Sequence, residues 1–466
     1  MASSTELHFL TIAEAARLVK SKKLSPVDLT RAALDRIDAL DRRLKAFVTL
    51  LDGPAEKSAK AAARNIARGN YLGPLHGIPV AIKDLYDTKG VKTTSCSKVR
   101  ANYVPTEDAT VVRKLKEAGA IILGKVTTHE FAFGFDAPPT RNPWNVKHTP
   151  SGSSGGSACA LAAGMCYGAT GSDTGGSIRA PASVNGVAGL KPTYGRVSKA
   201  GVAVLSWSLD HTGPLARSVE DLALILNVIA GPDALDPTTR DVRVPNYVRM
   251  LTGDIRGLRI GVPKNYFFTD VQKPVARAVR KAIKTLEGLG GIVTAVRISH
   301  MEHMLPSFFS IVIPEAAVYH QKAFRKHPGK YGPDVRALLE TGQVYLASTY
   351  ITAQRNRFAF KAAFREAFKK VDVLVTPSMP VTAPKIGQET YRFGNREEPI
   401  FTSSARFCCP FNLVGLPAVS VPCGFSADGL PIGLQIVGKP FDEGTTLRVA
   451  HAYEKNTEWH KMRPPL

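Results

Sequence analysis

Apolar positions along this chain fall into two recurring patterns. Short, compact apolar runs read as buried strands: GIPVAIK, with its core at 78–82, then AIILGK, LRIGVP, VDVLVTP, AVSVPCGF and IGLQIVG. Between them lie stretches with the helical spacing of apolar residues, over 108–118, 218–230, 273–288 and 354–370. Two earlier helices announce their own starts. Thr11 and Glu14 form a capping box, and Ser25-Pro26 with Asp28 supplies an N-cap, a proline in the first turn and an early acid. Strands interleaved with helices predict an α/β fold with a largely parallel or mixed sheet. No internal repeat or low-complexity tail appears. The Pro/Gly-rich stretch around 377–399 reads as a long loop rather than a linker, because strand-like runs resume after it, so a single domain over 1–466 is expected.

Composition narrows the class without choosing a function. A content of 44% hydrophobic and 21% charged residues is that of a globular protein with a substantial core. No apolar run reaches the roughly 18–20 residues that span a bilayer, and the N-terminal segment lacks the basic-then-apolar order of a secretory signal. The six cysteines (Cys96, Cys159, Cys166, Cys408, Cys409 and Cys423) lack CxxC or His-paired spacing, so a cytoplasmic protein with reduced thiols and no metal is expected. The net charge of +22 could attract nucleic acid or an anionic membrane. However, the 61 Lys and Arg are spread along the chain, and no RNP-like, finger or basic-heptad motif accompanies them. Neither membrane nor nucleic acid is expected as a partner.

Two glycine- and serine-rich loops carry the candidate chemistry: TPSGSSGGSACA around Ser153, and GATGSDTGGSIRAP around Ser177. A P-loop needs G-x-x-x-x-G-K-[ST], and neither loop contains a lysine; the G-x-G-x-x-G spacing of a dinucleotide turn is also missing. A flexible linker fits no better, since the first loop runs straight into small, apolar SACALAAGM, the composition of a tightly packed buried helix. A nucleophile reading uses the parts. Glycines on the N-terminal side of Ser177 allow several backbone N–H groups to converge on one oxyanion. Serine needs a base, yet the nearest histidines, His148 and His211, sit in unremarkable loop or core settings, and no G-x-S-x-G elbow surrounds Ser177. A lysine can act if burial keeps it neutral. Lys83, at the end of IPVAI, has the apolar flank for that role, although a structural lysine fits the same flank.

The blocks GIPVAIKD, PSGSSGGSACALAAG, GSDTGGSIRAPASVNGVAGLKPTYGRVS, SLDHTGPLARSVEDLALIL and FNLVGLPAVSVPCGF resemble the amidase signature family over nearly the whole chain. The resemblance implies a single large domain, a mixed twisted sheet covered by helices on both faces, with a triad region at about 70–220 and a variable pocket region at about 300–410. It also implies a Ser–cisSer–Lys triad: Ser177 as nucleophile, Ser153 as bridging serine after a cis peptide, and Lys83 as base. The N–H groups of Thr174, Gly175, Gly176 and Ser177 would hold the oxyanion, and Asp173 and Arg179 would brace the loop. No metal or organic cofactor is implied. One departure is Ser151, where many members carry glycine.

What the resemblance implies about substrate is broader: a small-molecule amide or carbamate, cleaved through an acyl-enzyme by a monomer or homodimer. Phe131, Phe133 and Gly134, in HEFAFGFD, correspond to a wall of the acyl pocket, although either ring could equally be core. Phe308, Phe309, Phe401, Phe407 and Phe411 fall in the variable region. So many aromatics favour aryl or bulky apolar amides, with carbamates and esters within the same acyl chemistry. The rival within the family is the glutaminase component of a glutamyl-tRNA amidotransferase (its A component), which works inside a complex. That component carries an acidic residue just before its NLAGLPA block; here Ala405 and Arg406 stand in that place.

Overall fold

The computed structural model describes residues 7–466. Its strands are β1 (Phe47–Leu50), β2 (Pro79–Lys83), β3 (Ile121–Val126), β4 (Gly168–Asp173), β5 (Ala188–Lys191), β6 (His211–Ala216) and β7 (Arg259–Pro263). They continue with β8 (Ile292–Val296), β9 (Val373–Pro377), β10 (Thr390–Phe393), β11 (Arg396–Pro399), β12 (Ala418–Phe425) and β13 (Pro431–Val437). Eleven of them pair into one sheet in the order β1-β3-β2-β4-β6-β5-β12-β13-β9-β7-β8. Every strand-like run of the sequence lies in this sheet. Because β2, β3, β12 and β13 are buried on both faces along nearly their whole length, those runs lack polar alternation. Parallel pairs (β2 with β3 and β4, β7 with β8 and β9) coexist with antiparallel ones (β4 with β6, β12 with β5 and β13), so the sheet is mixed. Helices flank it, and the whole is one α/β domain.

The predicted helices form within a residue or two, at Thr110–Glu117, Val219–Ile229 and Lys273–Gly288. The first two helices, Ile12–Lys20 and Pro26–Leu44, start where their caps indicate. Thr11 accepts from the Glu14 N–H at 3.1 Å, while the Thr11 N–H donates to Glu14 Oε2 at 2.8 Å. Two expectations need correction. The helix ending at Lys370 begins at Ala347, seven residues before position 354, because ASTYITA is polar and β-branched and carries no cap signal. The stretch 377–399 is not all loop: β10 and β11 form a separate two-stranded hairpin, with Tyr391 buried beneath it.

The topology also positions the chemistry. Neighbouring β2 and β4 run parallel, so their C-terminal ends open at the same edge of the sheet. Lys83 ends β2, and the GSDTGGS loop leaves β4 there, the edge at which open α/β sheets usually bind ligands. Glycine-rich β4 has no strand-like sequence pattern. It is a strand because its neighbours leave no room for side chains: a Cβ on Gly171 would lie 2.5 Å from Leu215 Cδ1, and one on Gly168 would lie 2.9 Å from Ile225 Cδ1.

Candidate active site

Lys83 is fully buried, and its Nζ lies within hydrogen-bond distance of three hydroxyls: Ser153 at 2.7 Å, Ser154 at 2.9 Å and Ser172 at 2.9 Å. Its backbone N–H donates to Thr170 Oγ1 at 2.9 Å, which ties β2 to β4. Burial lowers the lysine to about 7, with Asp173 and Asp210 opposing that shift. The sequence criterion behind Lys83, an apolar strand ending in lysine, does not single it out. Lys125 ends the apolar run AIILG in the same way, one residue before the end of β3, is equally buried and is lowered by burial to about 8. Its Nζ instead donates to the Tyr86 carbonyl, Thr88 Oγ1 and Thr93 Oγ1, so partners rather than burial distinguish the two lysines.

The Gly152–Ser153 peptide is cis. A Cβ on Gly152 would fall 1.9 Å from the Asp136 carbonyl oxygen, so only glycine fits. Ser151 takes φ +58°, the left-handed region that suits glycine, so the departure noted above puts a serine where the backbone favours glycine. The Ser154 N–H donates to the Ser177 carbonyl at 3.1 Å, fastening the two serine loops together. The small-residue helix Gly155–Ala162 then packs on β4; a Cβ on Gly156 would lie 2.3 Å from Thr127 Oγ1.

Ser177 is almost fully buried, and its hydroxyl makes no hydrogen bond to another described residue. The loop before it is held by Asp173. Arg179 donates to both carboxylate oxygens, Nε to Oδ2 at 3.0 Å and Nη2 to Oδ1 at 2.9 Å. Burial alone would raise the Asp173 carboxyl, but Arg179 and Asn412 outweigh it and hold it well below the usual range. Asp173 Oδ1 also accepts the Gly176 N–H at 2.8 Å. That bond corrects one expectation, since an N–H already given to a carboxylate cannot hold an oxyanion. The N–H groups of Thr174, Gly175 and Ser177 form no hydrogen bond with another described residue.

Several residues that the sequence pattern did not point to belong here. Asp210 Oδ1 accepts the Thr174 hydroxyl at 2.6 Å, and its carboxyl also takes the N–H groups of Leu205 and Ser206, so it clamps the loop from outside. Burial raises Asp210 to about 6. Ser154 and Ser172 had one legible signal, their adjacency to Ser153 and Asp173. The expectation for histidines holds: His211 is buried against the Leu209 carbonyl at 2.6 Å, and His148 meets the Ala383 carbonyl at 2.8 Å. Burial drives His211 well below its ordinary value.

Two cavities lie near these residues, the first at the nucleophile loop and the second beside Asp136, which packs on Gly152. One of about 280 Å³ touches Ser172, Thr174, Ala132, Leu205 and Trp207. The other, about 410 Å³, is lined by Phe133 and Gly134 together with Phe135 and Phe401. Phe131 does not join them; its ring packs edge-on to His320 at 4.4 Å and lies 6.0 Å from Tyr331. Phe407 and Phe411 also leave the candidate pocket. Both are fully buried around Phe267, with centroids 5.5 and 5.6 Å from its ring. Arg406 turns away as well, donating to the Thr269 carbonyl at 2.9 Å and pairing with Glu398 at 3.2 Å.

The Amidase family model matches residues 28–447, and the chain belongs to this family. A protein named amidase from Pseudomonas putida is 45% identical over 459 residues, covering 98% of each chain. The A component of the glutamyl-tRNA(Gln) amidotransferase of Carboxydothermus hydrogenoformans is 43% identical over 491 residues, covering 99% of this chain and all of the relative. Among solved structures, a chain of a vestigial protein complex, described as revealing the evolutionary origins of an s-triazine catabolic enzyme, superposes with a TM-score of 0.92. It is 35% identical and covers 96% of this chain and 98% of its own.

Proposed function

We propose that the protein is an amide hydrolase that works through an acyl-enzyme on Ser177, activated by Ser153 and neutral Lys83. The observation that carries this reading is the 2.7 Å contact between the fully buried Lys83 amine and the Ser153 hydroxyl. A neutral amine offers two N–H donors and one lone pair. The Ser154 hydroxyl donates to the Ser172 carbonyl at 3.2 Å, so its oxygen accepts from Lys83. Ser172 takes the second N–H, and the lone pair is left for the Ser153 proton. Ser153 can then take a proton from Ser177 as it gives its own away. As Ser177 attacks the carbonyl, the N–H groups of Thr174, Gly175 and Ser177 hold the developing oxyanion. The proton returns to the leaving amine, and water cleaves the ester.

The aromatic lining of the second cavity favours aryl or bulky apolar amides, with carbamates and esters open to the same chemistry. A cytoplasmic location is part of this reading. Identity to the amidotransferase A components supports a second one, glutaminase action inside a complex. Against it, Arg406 and Ala405 stand where the acid of that component is expected, and the nearest carboxyl, Glu398, is bound to Arg406. The purified chain, assayed without tRNA or ATP on anilides, aryl carbamates, propionamide and glutamine, separates the two. Release of amine from simple amides supports the hydrolase. Inertness on all of them, with glutaminase activity appearing when the other amidotransferase components are added, supports the second.

A further inference from the structure

Four phenylalanines form an unbroken row from the nucleophile loop to the larger cavity. Phe308 rests on the loop itself: a Cβ on Gly175 would lie 2.4 Å from Phe308 Cζ. Phe308 meets Phe309 edge-on at 5.1 Å, Phe309 stacks on Phe401 at 5.2 Å and 20°, and Phe401 meets Phe135 edge-on at 5.1 Å. The rings come from distant parts of the chain: the segment after β3, the helix Met304–Lys326 and the helix Ile400–Arg406. Phe308 is buried, but Phe309, Phe401 and Phe135 each keep an exposed edge. In this they differ from Phe267, Phe407 and Phe411, which are fully buried and complete the core.

Phe401 and Phe135 line the 410 Å³ cavity, with Ile400 and Leu338 as further apolar walls. Its rim is polar, where His129 Nε2 meets Asp334 Oδ2 at 2.9 Å. An apolar, ring-lined pocket with a polar rim, whose wall is joined to the nucleophile loop by a row of packed rings, has the form of a binding site for an aromatic group. The row sets the reach. Two ring-to-ring steps, of 5.1 and 5.2 Å, separate Phe308 from Phe401. A ring bonded directly to the carbonyl would meet Phe308, whereas a ring on a short alkyl spacer would arrive at Phe401.

We infer that this row is a recognition track for arylalkyl amides, and that Phe401 is the specificity-determining residue at its end, stacking the distal ring of the substrate. This rests on the amide-hydrolase reading above. The experiment compares kcat/KM for 4-phenylbutyramide and propionamide in wild type, Phe401→Ala, Phe401→Leu and Phe401→Tyr, with thermal melts. Wild type is expected to favour the aryl substrate. Phe401→Ala should lower the ratio of kcat/KM for the aryl amide over propionamide by about tenfold or more, and Phe401→Tyr should restore most of that ratio. If the alanine variant melts early, Phe401→Leu removes the ring with little loss of volume and gives the same readout. Equal losses on both amides, or no loss on the aryl one, would overturn the track. Wild type inert on both would overturn the hydrolase reading beneath it.

Discussion

The Lys83 amine and the Ser153 hydroxyl stand 2.7 Å apart, both fully buried, and among the described residues no carboxylate forms an ion pair with the amine. A lysine so placed is costly to charge and cheap to keep neutral. The arrangement suits a base better than a structural cation, because Lys125, the buried lysine one strand away, is satisfied by a carbonyl and two threonine hydroxyls.

Ser177→Ala should lower kcat by roughly 10⁴-fold or more, as for the leading member of a catalytic unit. Because the Ser177 hydroxyl makes no hydrogen bond to another described residue, the variant should melt like wild type. Steady-state assay of any turned-over amide checks this. Retention of more than about a tenth of the activity would remove Ser177 from the mechanism.

Ser172→Ala tests how the amine is aimed. Losing this hydroxyl, 2.9 Å from Nζ, frees the lysine to rotate its lone pair away from Ser153. A fall in kcat of about tenfold with KM little changed is expected. A change confined to KM would place Ser172 in substrate binding instead.

Asp173→Asn should both destabilise and inactivate. It leaves the Arg179 guanidinium buried without its bidentate partner, a loss that typically costs about 3–5 kcal/mol. Urea unfolding reads the stability term. A variant as stable as wild type would mean that the pair does not hold the loop.

Glu454 gives a stability signature far from the catalytic loops. Burial raises this carboxyl to about 8, from an ordinary value near 4.5, while it accepts the Val219 N–H. Between those values the folded chain keeps a proton that the unfolded chain has released, so stability falls as pH rises across that window. Glu454→Gln keeps the acceptor and removes the titration. It should be more stable than wild type by roughly 1–3 kcal/mol at pH 8, with the gap closing toward pH 5. Urea midpoints at the two pH values decide; a glutamine variant weaker at pH 8 than at pH 5, relative to wild type, would contradict the assignment.

Much of this was legible in the sequence, and the losses have physical causes. Caps and apolar runs located the first helices and most of the buried strands, because those signals are local. β4 was illegible because its glycines answer to Leu215 and Ile225, which arrive from elsewhere in the chain. Lys83 and Lys125 carry the same flank, and only tertiary partners separate them. Gly176 looked like an oxyanion donor from its neighbours alone, yet a side chain three residues earlier takes its N–H. Of the aromatics in the variable region, Phe401 faces a cavity while Phe407, six positions on, faces the core; no period in that short segment distinguishes them.

The central claim is that neutral Lys83 activates Ser177 through Ser153. The most direct measurement needs no knowledge of the substrate: the rate at which a fluorophosphonate labels Ser177, followed by mass spectrometry from about pH 5 to 10. Lys83 is lowered to about 7, so it is charged below that value and neutral above it. The wild-type rate should therefore climb about tenfold per pH unit up to about 7 and then level off. Lys83→Arg, which cannot deprotonate, should label at least about a thousandfold more slowly at pH 8, with a melt confirming that it folds. A flat wild-type profile, or a folded arginine variant labelling within about tenfold of wild type, would contradict the account.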